Sequence, residues 1–380
     1  MSYSDIKLSV IVAHQSERLL LEQCLCSVRA ALSGMDVELY VIDLSSACDV
    51  ASLLRSDFPD VNWINNEQRL CRAAIYNQVI RQAAGEYVLL LRSDTLIGEE
   101  ELRSLCFLMD DDVSISAIGV KMLDAHGRFI PESKRAFLSS WLLFCEACGL
   151  SRLFSHIALF SNFLLPGLDA DKQHDVELLS DVFMLLRHER IDGLGGFDES
   201  LGDYGADMDL SYRLSVKGDK VLYIPERILY YNVEKREHID KALLKFNAKH
   251  CAGGWLLRGM ARFAFAIRER GSALFYSGSR EKAVKHRRLL VFCEEAHWEK
   301  IKQACARSMP DLEFINHWNL DEERVMDAIC RKNQMKGFTD YAFCFPDVRF
   351  EQMFLFMDKL VNKKAVYHIY TEEKERFVSI

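Results

Sequence analysis

The sequence predicts an α/β fold built on a Rossmann-like mixed sheet. Apolar, β-branched runs alternate with helical patterns over residues 8–91. Two of these runs are followed by an aspartate, Asp43 and Asp94, and the same alternation restarts at residue 289. Alternating strands and helices form parallel sheets, whose ligands bind beyond the carboxyl ends of the strands. We therefore expect a nucleotide-binding type of half-domain first and a smaller α/β unit last.

The first half-domain follows from hydrophobic periodicity. Residues 8–13 form a continuous apolar run, typical of a strand buried on both faces. Ser16 can cap a following helix, in which leucine and valine recur at helical spacing up to Leu32. The expected elements after it are strands at 37–42, 62–64 and 87–91, and a helix at 71–84.

The next segment combines regular elements with a long insertion. We expect a helix at 99–109, strands at 115–123, 178–186 and 220–224, and a helix at 206–216. Pro225 should end the last strand, because proline lacks the amide donor of a sheet ladder. Residues 124–176 have no clear period, and we interpret them as an irregular acceptor-side insertion.

Residues 239–270 are helical in pattern, with basic and apolar faces. Two interpretations are open: a helix lying on a membrane surface, or two helices packed on the preceding domain. A basic bridge at 282–288 then suggests domains at 1–238, 239–281 and 282–380. The first turn of the tail, Glu294-Glu295-Ala296, lacks the glycines of a dinucleotide site, so we expect a docking or structural module.

Composition narrows the function. The net charge of −8 argues against a general nucleic-acid binder. We see no signal peptide and no apolar run long enough to span a bilayer, which favours a cytoplasmic protein. The twelve cysteines are then expected to be reduced, and Cys145 and Cys148 to be helix-packing residues.

The most specific motif is Gly195-Gly196-Phe197-Asp198-Glu199, followed by Gly205-Ala206-Asp207-Met208-Asp209-Leu210 and Arg213. Together with Asp43 and Asp94 in the preceding half-domain, this layout resembles the family 2 glycosyltransferases over residues 7–235. The resemblance implies a GT-A-like fold and transfer of a sugar from a nucleotide-diphospho-sugar to a glycan or lipid-linked acceptor. It also implies Mg2+ or Mn2+ as the cofactor.

The resemblance assigns roles to residues. Asp43 would contact the nucleobase, Asp94 the metal or diphosphate, and Asp207 would be the catalytic base. Further donor-binding positions are Ala13, His14, Arg69, Arg92 and Ser93. Acceptor-side positions are Arg135, Gly196, Phe197, Asp198, Glu199 and Asp209. From its place in the first turn of a helix, we expect the dipole to lower the pKa of Asp207, and Asp209 to pair with Arg213 and brace the helix.

Several positions depart from the family pattern. Arg92 replaces an acidic residue and can pair with Asp94 or supply positive charge to the diphosphate. Ala206 replaces a glutamate, Asn232 a histidine, and Asp181 the glycine of a Ser-Gly-Ala strand. The donor loop, Arg69-Leu70-Cys71-Arg72, lacks its usual glycine.

The loop 127–135 resembles the acceptor loop of bacterial rhamnosyltransferase-like enzymes of surface polysaccharide assembly. Its basic residues would meet a lipid-linked pyrophosphate or face solvent. The leading hypothesis is an inverting transferase at the cytoplasmic face of a bacterial inner membrane, in peripheral contact through 239–270. The alternatives are a degenerate, non-catalytic scaffold of a glycan assembly complex, and a nucleotide-sugar sensor whose tail carries the output.

Overall fold

The computed structural model describes residues 6–15, 17–44, 53–66, 68–231, 236–275, 287–309, 312–318, 338–345, 347–360, 365–371 and 376–379. They form two sheets. The strands of the first sheet are β1 Leu8–His14, β2 Val37–Asp43, β3 Val61–Asn65, β4 Tyr87–Arg92, β5 Thr95–Leu96, β6 Ile115–Leu123, β7 His174–Asp175, β8 Phe183–Arg187 and β9 Lys220–Tyr230. Their order is β3-β2-β1-β4-β8-β6-β9-β5, with β7 beside β9.

The sheet is mixed. Strands β3, β2, β1 and β4 are parallel, and β8 inserts antiparallel between β4 and β6. Strand β1 is buried on both faces, because Val10 and Val12 pack in one core cluster and Ile11 and Ala13 in another. The continuous apolar run therefore reflects helices on both faces of the sheet.

The principal helices of this part follow the predicted positions closely. They are Arg18–Ala31, Arg72–Ile80, Glu101–Asp111, Ala206–Val216, Arg236–His250 and Trp255–Phe275. The expected boundary at 238/239 falls inside Arg236–His250, and the boundary at 281/282 lies outside the described residues.

The insertion 124–176 is more helical than expected. Besides Ser140–Cys148 it contains the short helices Leu150–Leu153 and Ala158–Ser161. Ser139 caps the first of these helices by accepting a hydrogen bond from the Leu142 amide, and Gly149 ends it in a left-handed conformation. Because Ser139 and Gly149 limit the helix to nine residues and the two helices after it have four residues each, these helices are too short to show a clear hydrophobic period in the sequence.

Pro225 does not end its strand, contrary to the prediction. Strand β9 continues to Tyr230 because its register against β6 shifts at this point, and Ile224 and Arg227 face consecutive residues of β6. Pro225 therefore lies in a bulge, where no ladder amide is required. The strand expected at 178–186 is shorter and forms only over Phe183–Arg187.

The second sheet contains β10 Arg287–Phe292, β11 Leu312–Trp318, β12 Asp340–Phe345, β13 Val366–Thr371 and β14 Arg376–Ser379. Its order is β11-β10-β12-β13-β14, parallel except at β14. The helices Trp298–Ser308 and Phe350–Lys359 accompany it. The sequence pattern also predicts a helix at 321–331, and these residues lie outside the described part of the chain.

The two sheets share a hydrophobic cluster. Leu123 and Leu229 of the first sheet pack in the same cluster as Phe354 and Met357 of the tail. Asp358 adds ion pairs to Lys121 at 2.7 Å and to Arg227 at 2.8 Å. The arrangement of a mixed sheet, following helices and a small C-terminal α/β unit confirms the predicted GT-A-like fold class.

Candidate functional site

The predicted donor residues come together at the carboxyl ends of three neighbouring strands. In the sheet register, His14 at the end of β1 is opposite Asp43 at the end of β2, and Ala13 is opposite Arg92 at the end of β4. The Ser93 amide donates to the Ala13 carbonyl at 3.0 Å. This edge is where doubly wound sheets bind their ligands.

His14 is fully buried at this edge. Its Nδ1 lies 3.0 Å from the Ser93 hydroxyl, and its Nε2 has no hydrogen-bond partner among the described residues. Burial lowers the pKa of His14, although the Asp43 carboxylate opposes this effect. The imidazole is therefore a neutral hydrogen-bonding group at neutral pH.

Arg69 lies on a turn beside this edge and is exposed. The turn is closed by Asn66, whose side chain exchanges hydrogen bonds with the backbone of Leu70. Arg69 has a φ of +50°, a left-handed conformation that favours glycine. Arg69 therefore adopts a backbone conformation that a glycine would adopt more readily.

Arg92 and Asp94 form the most unusual part of the donor side. The Arg92 Nε lies 3.7 Å from the Asp94 Oδ1, which is a long ion pair, and the guanidinium lies 5.9 Å from the centre of the Tyr230 ring. Burial raises the pKa of Asp94, whereas Arg92 acts to lower it. The Asp94 Oδ1 has no hydrogen-bond partner among the described residues.

Asp207 lines an open cavity beside the donor edge. Helix Arg236–His250 forms an apolar wall of the cavity through Ile239, Ala242 and Leu243. The charged residues that line it are Arg72, Glu132, Arg135, Asp181, Asp203 and Asp207. An apolar pocket with a few convergent charges is typical of a ligand site.

The pKa of Asp207 differs from the prediction. Burial and the nearby Asp181 carboxylate raise it, and the Arg135 guanidinium, 3.4 Å away, only partly opposes them. Burial is the largest of these effects, and the lowered pKa that the helix position had predicted is not found. A raised pKa suits a group that accepts a proton near neutral pH.

Asp181 is a site residue that the assigned roles did not include. Its carboxylate accepts from Arg72 Nη1 at 2.8 Å and from the Tyr76 hydroxyl at 3.3 Å. Burial acts to raise the pKa of Asp181, but Arg72 and Arg92 lower it below the usual range. Two features of the sequence could have indicated a role for Asp181. It replaces the glycine of the family strand, and the altered donor loop contains Arg72, a possible partner for its carboxylate.

The predicted acceptor motif around Gly196 surrounds Asn77. The Phe197 amide donates to the Asn77 Oδ1 at 2.7 Å, and the Asn77 Nδ2 donates to the Phe197 carbonyl and to Glu199, each at 2.9 Å. A side chain on Gly196 would meet the Asn77 Oδ1 at 2.5 Å. This part of the motif fixes the turn that leads to Asp207.

Asp209 joins two helices. It is fully buried and pairs with Arg213 at 2.8 Å, Lys249 at 2.5 Å and His250 at 2.7 Å. Lys249 also pairs with Asp198 at 2.6 Å. The structure therefore supports bracing by Asp209, with helix Arg236–His250 as the second partner.

The basic residues of the loop 127–135 have different environments. Lys134 is buried and donates to the Leu165 carbonyl at 2.6 Å, while Arg128 is half exposed beside Asp124. Arg135 lines the cavity, and its Nε is buried without a hydrogen-bond partner in the described part of the chain. Among these three, Arg135 is the residue placed to meet an anion.

The described residues contain one cluster with the ligand types of a metal site, and it lies on the second sheet. It consists of Glu294, His297 and Asp347, and His297 Nδ1 lies 2.8 Å from the Asp347 Oδ1. No such group of three includes Asp94 within the described residues. The neighbouring guanidinium of Arg92 makes the donor edge a poor fit for a divalent cation. Asn232, the altered metal position, lies outside the described residues.

Residues 9–158, less than half of the chain, match the family model described as Glycosyl transferase family 2. No curated protein matches the sequence. Within the described residues, we find no helix of sufficient length and apolarity for a membrane span.

Solved structures that are similar to the chain include the following two. One is the mannosyltransferase PcManGT from Pyrobaculum calidifontis in complex with GDP-Man and Mn2+, with 17% identity and a TM-score of 0.43 over 80% of this chain and 81% of that one. The other is GalNAc-T7 with UDP, GalNAc and Mn2+, with 16% identity and a TM-score of 0.48 over 74% of this chain. This chain covers 53% of the GalNAc-T7 chain.

Proposed function

We propose that this chain is an inverting glycosyltransferase, which moves a sugar from a nucleotide-diphospho-sugar to a hydroxyl of a cell-surface or lipid-linked glycan. The observation that carries the proposal is the partly buried Asp207 carboxylate of raised pKa, which lines an open cavity beside the donor edge of the sheet. The family match over residues 9–158 supports the donor class.

The residues divide into two groups in this proposal. Asp43 and His14, at the ends of β2 and β1, would hold the nucleobase and ribose. Asp207 would accept the proton of the acceptor hydroxyl as its oxygen attacks the anomeric carbon. The bond from that carbon to the diphosphate oxygen breaks, and the nucleoside diphosphate leaves with the electron pair.

Calorimetric titration with a panel of UDP-, GDP- and dTDP-sugars tests the donor assignment, and dTDP-rhamnose belongs in the panel because of the loop 127–135. We expect one donor to bind, and Asp43→Ala to weaken its binding at least tenfold. Asp192→Asn is the control, since the Asp192 side chain is 67% exposed at the end of helix His188–Asp192. Absence of binding by every donor would contradict the proposal.

We further propose that helix Trp255–Phe275 contacts a membrane surface at the cytoplasmic face of a bacterial inner membrane. Its exposed apolar side chains are Trp255, Leu256, Met260, Phe263 and Ile267, from 47% to 75% exposed. The exposed Arg262 and Arg270 lie on the same helix. Aromatic and aliphatic side chains flanked by arginine are typical of helices that lie on anionic lipid. A lipid-linked acceptor would be reached from this position.

Sedimentation with phosphatidylglycerol vesicles tests this contact. Phe263→Ser should reduce binding several-fold, because it removes an aromatic anchor that is 70% exposed. Phe107→Ser is the matched control, since Phe107 is 61% exposed on helix Glu101–Asp111. Equal loss in the two variants, or no binding by the unaltered protein, would exclude the helix as a membrane anchor.

A second candidate is a degenerate scaffold of a glycan assembly complex. The observation that favours it is the contact of Arg92 with Asp94, because a guanidinium that neutralises this carboxylate removes a metal ligand. The scaffold predicts no turnover with any donor. The donor titration and a turnover assay therefore separate the two candidates.

A further inference from the structure

Three carboxylates around the crevice each lie beside one arginine; Asp94 and Asp181 are buried, and the Asp207 side chain is 16% exposed. The pairs and their N–O distances are Asp94–Arg92 at 3.7 Å, Asp181–Arg72 at 2.8 Å and Asp207–Arg135 at 3.4 Å. The arginine side chains are only 7% to 11% exposed. Three guanidinium groups therefore converge from β4, from the start of helix Arg72–Ile80 and from the loop before Ser140–Cys148.

The three pairs behave as one electrostatic group. The Asp94 carboxyl is influenced by Arg92, Asp181 and Arg72, and the Asp207 carboxyl by Asp181, Arg135 and Arg72. The formal charges of the six side chains cancel. The Asp207–Arg135 contact, at 3.4 Å, is longer than a close ion pair.

Arg135 gives an independent sign of an anionic ligand. Its side chain is 7% exposed and lines the cavity, yet its Nε has no hydrogen-bond partner among the described residues. A buried donor without a partner costs about 1–3 kcal/mol. A phosphoryl oxygen in the cavity would supply the missing acceptor.

A divalent cation fits the same place poorly. Mg2+ binds carboxylate oxygen at about 2 Å, so an ion on the Asp94 Oδ1 would lie within about 6 Å of the Arg92 guanidinium. Like charges at that separation in a partly buried site repel strongly.

We propose that Arg72, Arg92 and Arg135 donate hydrogen bonds to the phosphate oxygens of the donor diphosphate, so that its binding and departure require no divalent cation. The inference rests on the proposed function. Planar guanidinium groups match phosphate oxygens in pairs, which makes arginine suited to this role. The negative charge that forms on the departing nucleoside diphosphate would be stabilised by these three groups.

Calorimetry with UDP, GDP and dTDP, each in EDTA and in Mn2+, tests the inference on the unaltered full chain. We expect one nucleoside diphosphate to bind with the same affinity, within about twofold, under both conditions. A loss of tenfold or more in EDTA, restored by Mn2+, would overturn the inference and leave the transferase standing. No binding in either condition would overturn the transferase itself.

Variants add a second readout. Arg92→Gln and Arg72→Gln should each lower the affinity for the nucleoside diphosphate at least tenfold. The affinity for the corresponding free nucleoside should stay within twofold of that of the unaltered protein. Arg190→Gln is the control, since Arg190 is 42% exposed and pairs with Asp219 on another part of the fold. Equal losses for diphosphate and nucleoside would contradict a phosphate role. If a variant fails to fold in a thermal melt, the EDTA comparison decides alone.

Discussion

The Arg135 Nη2 lies 3.4 Å from the Asp207 Oδ2, inside the cavity that the acceptor would enter. The arginine opposes the burial and the Asp181 charge that raise the pKa of Asp207. The ionisation of the proposed base is therefore set by residues from three parts of the chain. This relationship makes the pH dependence of turnover a direct probe of the site.

We expect turnover to fall as pH decreases, because Asp207 must be ionised to accept a proton. The fall should be centred above the ordinary aspartate range, since the pKa is raised. Arg135→Gln should move the midpoint of kcat/KM further upward, because it removes the cation that favours the carboxylate. Arg190→Gln should leave it unchanged. A midpoint that stays fixed or falls in Arg135→Gln would contradict this account of the ionisation.

Asp209 should matter for stability rather than for chemistry. Asp209→Asn leaves Arg213, Lys249 and His250 around a neutral amide, and breaking such a buried network costs about 3 kcal/mol. Denaturant unfolding measures the change, with the exposed Asp192→Asn as control. Equal free energies of unfolding in the two variants would show that Asp209 braces nothing.

Gly127 should couple the two sheets. It has a φ of +69°, and a side chain there would lie 2.3 Å from the Met357 carbonyl oxygen. Gly218 has a φ of +88° with open space around it, so Gly218→Ala isolates the backbone cost of about 1 kcal/mol. We expect Gly127→Ala to lower the free energy of unfolding by at least about 1 kcal/mol more. Equal losses of unfolding free energy in Gly127→Ala and Gly218→Ala would contradict a coupling of the two sheets through Gly127.

Glu101 should make stability pH-dependent. Burial raises its pKa from the ordinary 4.5 to about 8, and the Gly98 amide, which donates to it at 3.0 Å, only partly opposes this. Between these values the folded chain holds a proton that the unfolded chain has released, so stability falls as pH rises from 4.5 to 8. Glu101→Gln should reduce this decline in unfolding titrations at pH 6 and pH 8. An unchanged slope would contradict the raised pKa.

Much of the first half of the fold was predictable because its signals are local. The run at Val10 is apolar on both faces of a strand, and Asp43 and Asp94 follow apolar runs that parallel strands bring to one edge. Pro225 was misleading because the bulge that tolerates it depends on the register of β6, which lies a hundred residues earlier in the chain. Sequence patterns around Pro225 contain no information about which distant strand pairs with it.

The chemistry of the site was only partly predictable, for a similar reason. The position of Asp207 followed from its motif, but its pKa depends on Asp181 and Arg135, which are distant in sequence. The pairing of Arg72 with Asp181 likewise joins residues 109 positions apart. Charge environments of this kind arise from packing, so the helix dipole alone gave the wrong direction.

The central claim is that Asp207 takes the proton of an acceptor hydroxyl during sugar transfer. The most direct measurement is acceptor-dependent release of the nucleoside diphosphate by the full chain and by Asp207→Asn, with the donor that binds in calorimetry and with membrane lipid extract as acceptor. We expect the variant to keep the donor affinity within about twofold and to lose 10²–10⁴-fold in turnover, the contribution typical of a general base. Turnover that is unchanged in the variant would contradict the claim.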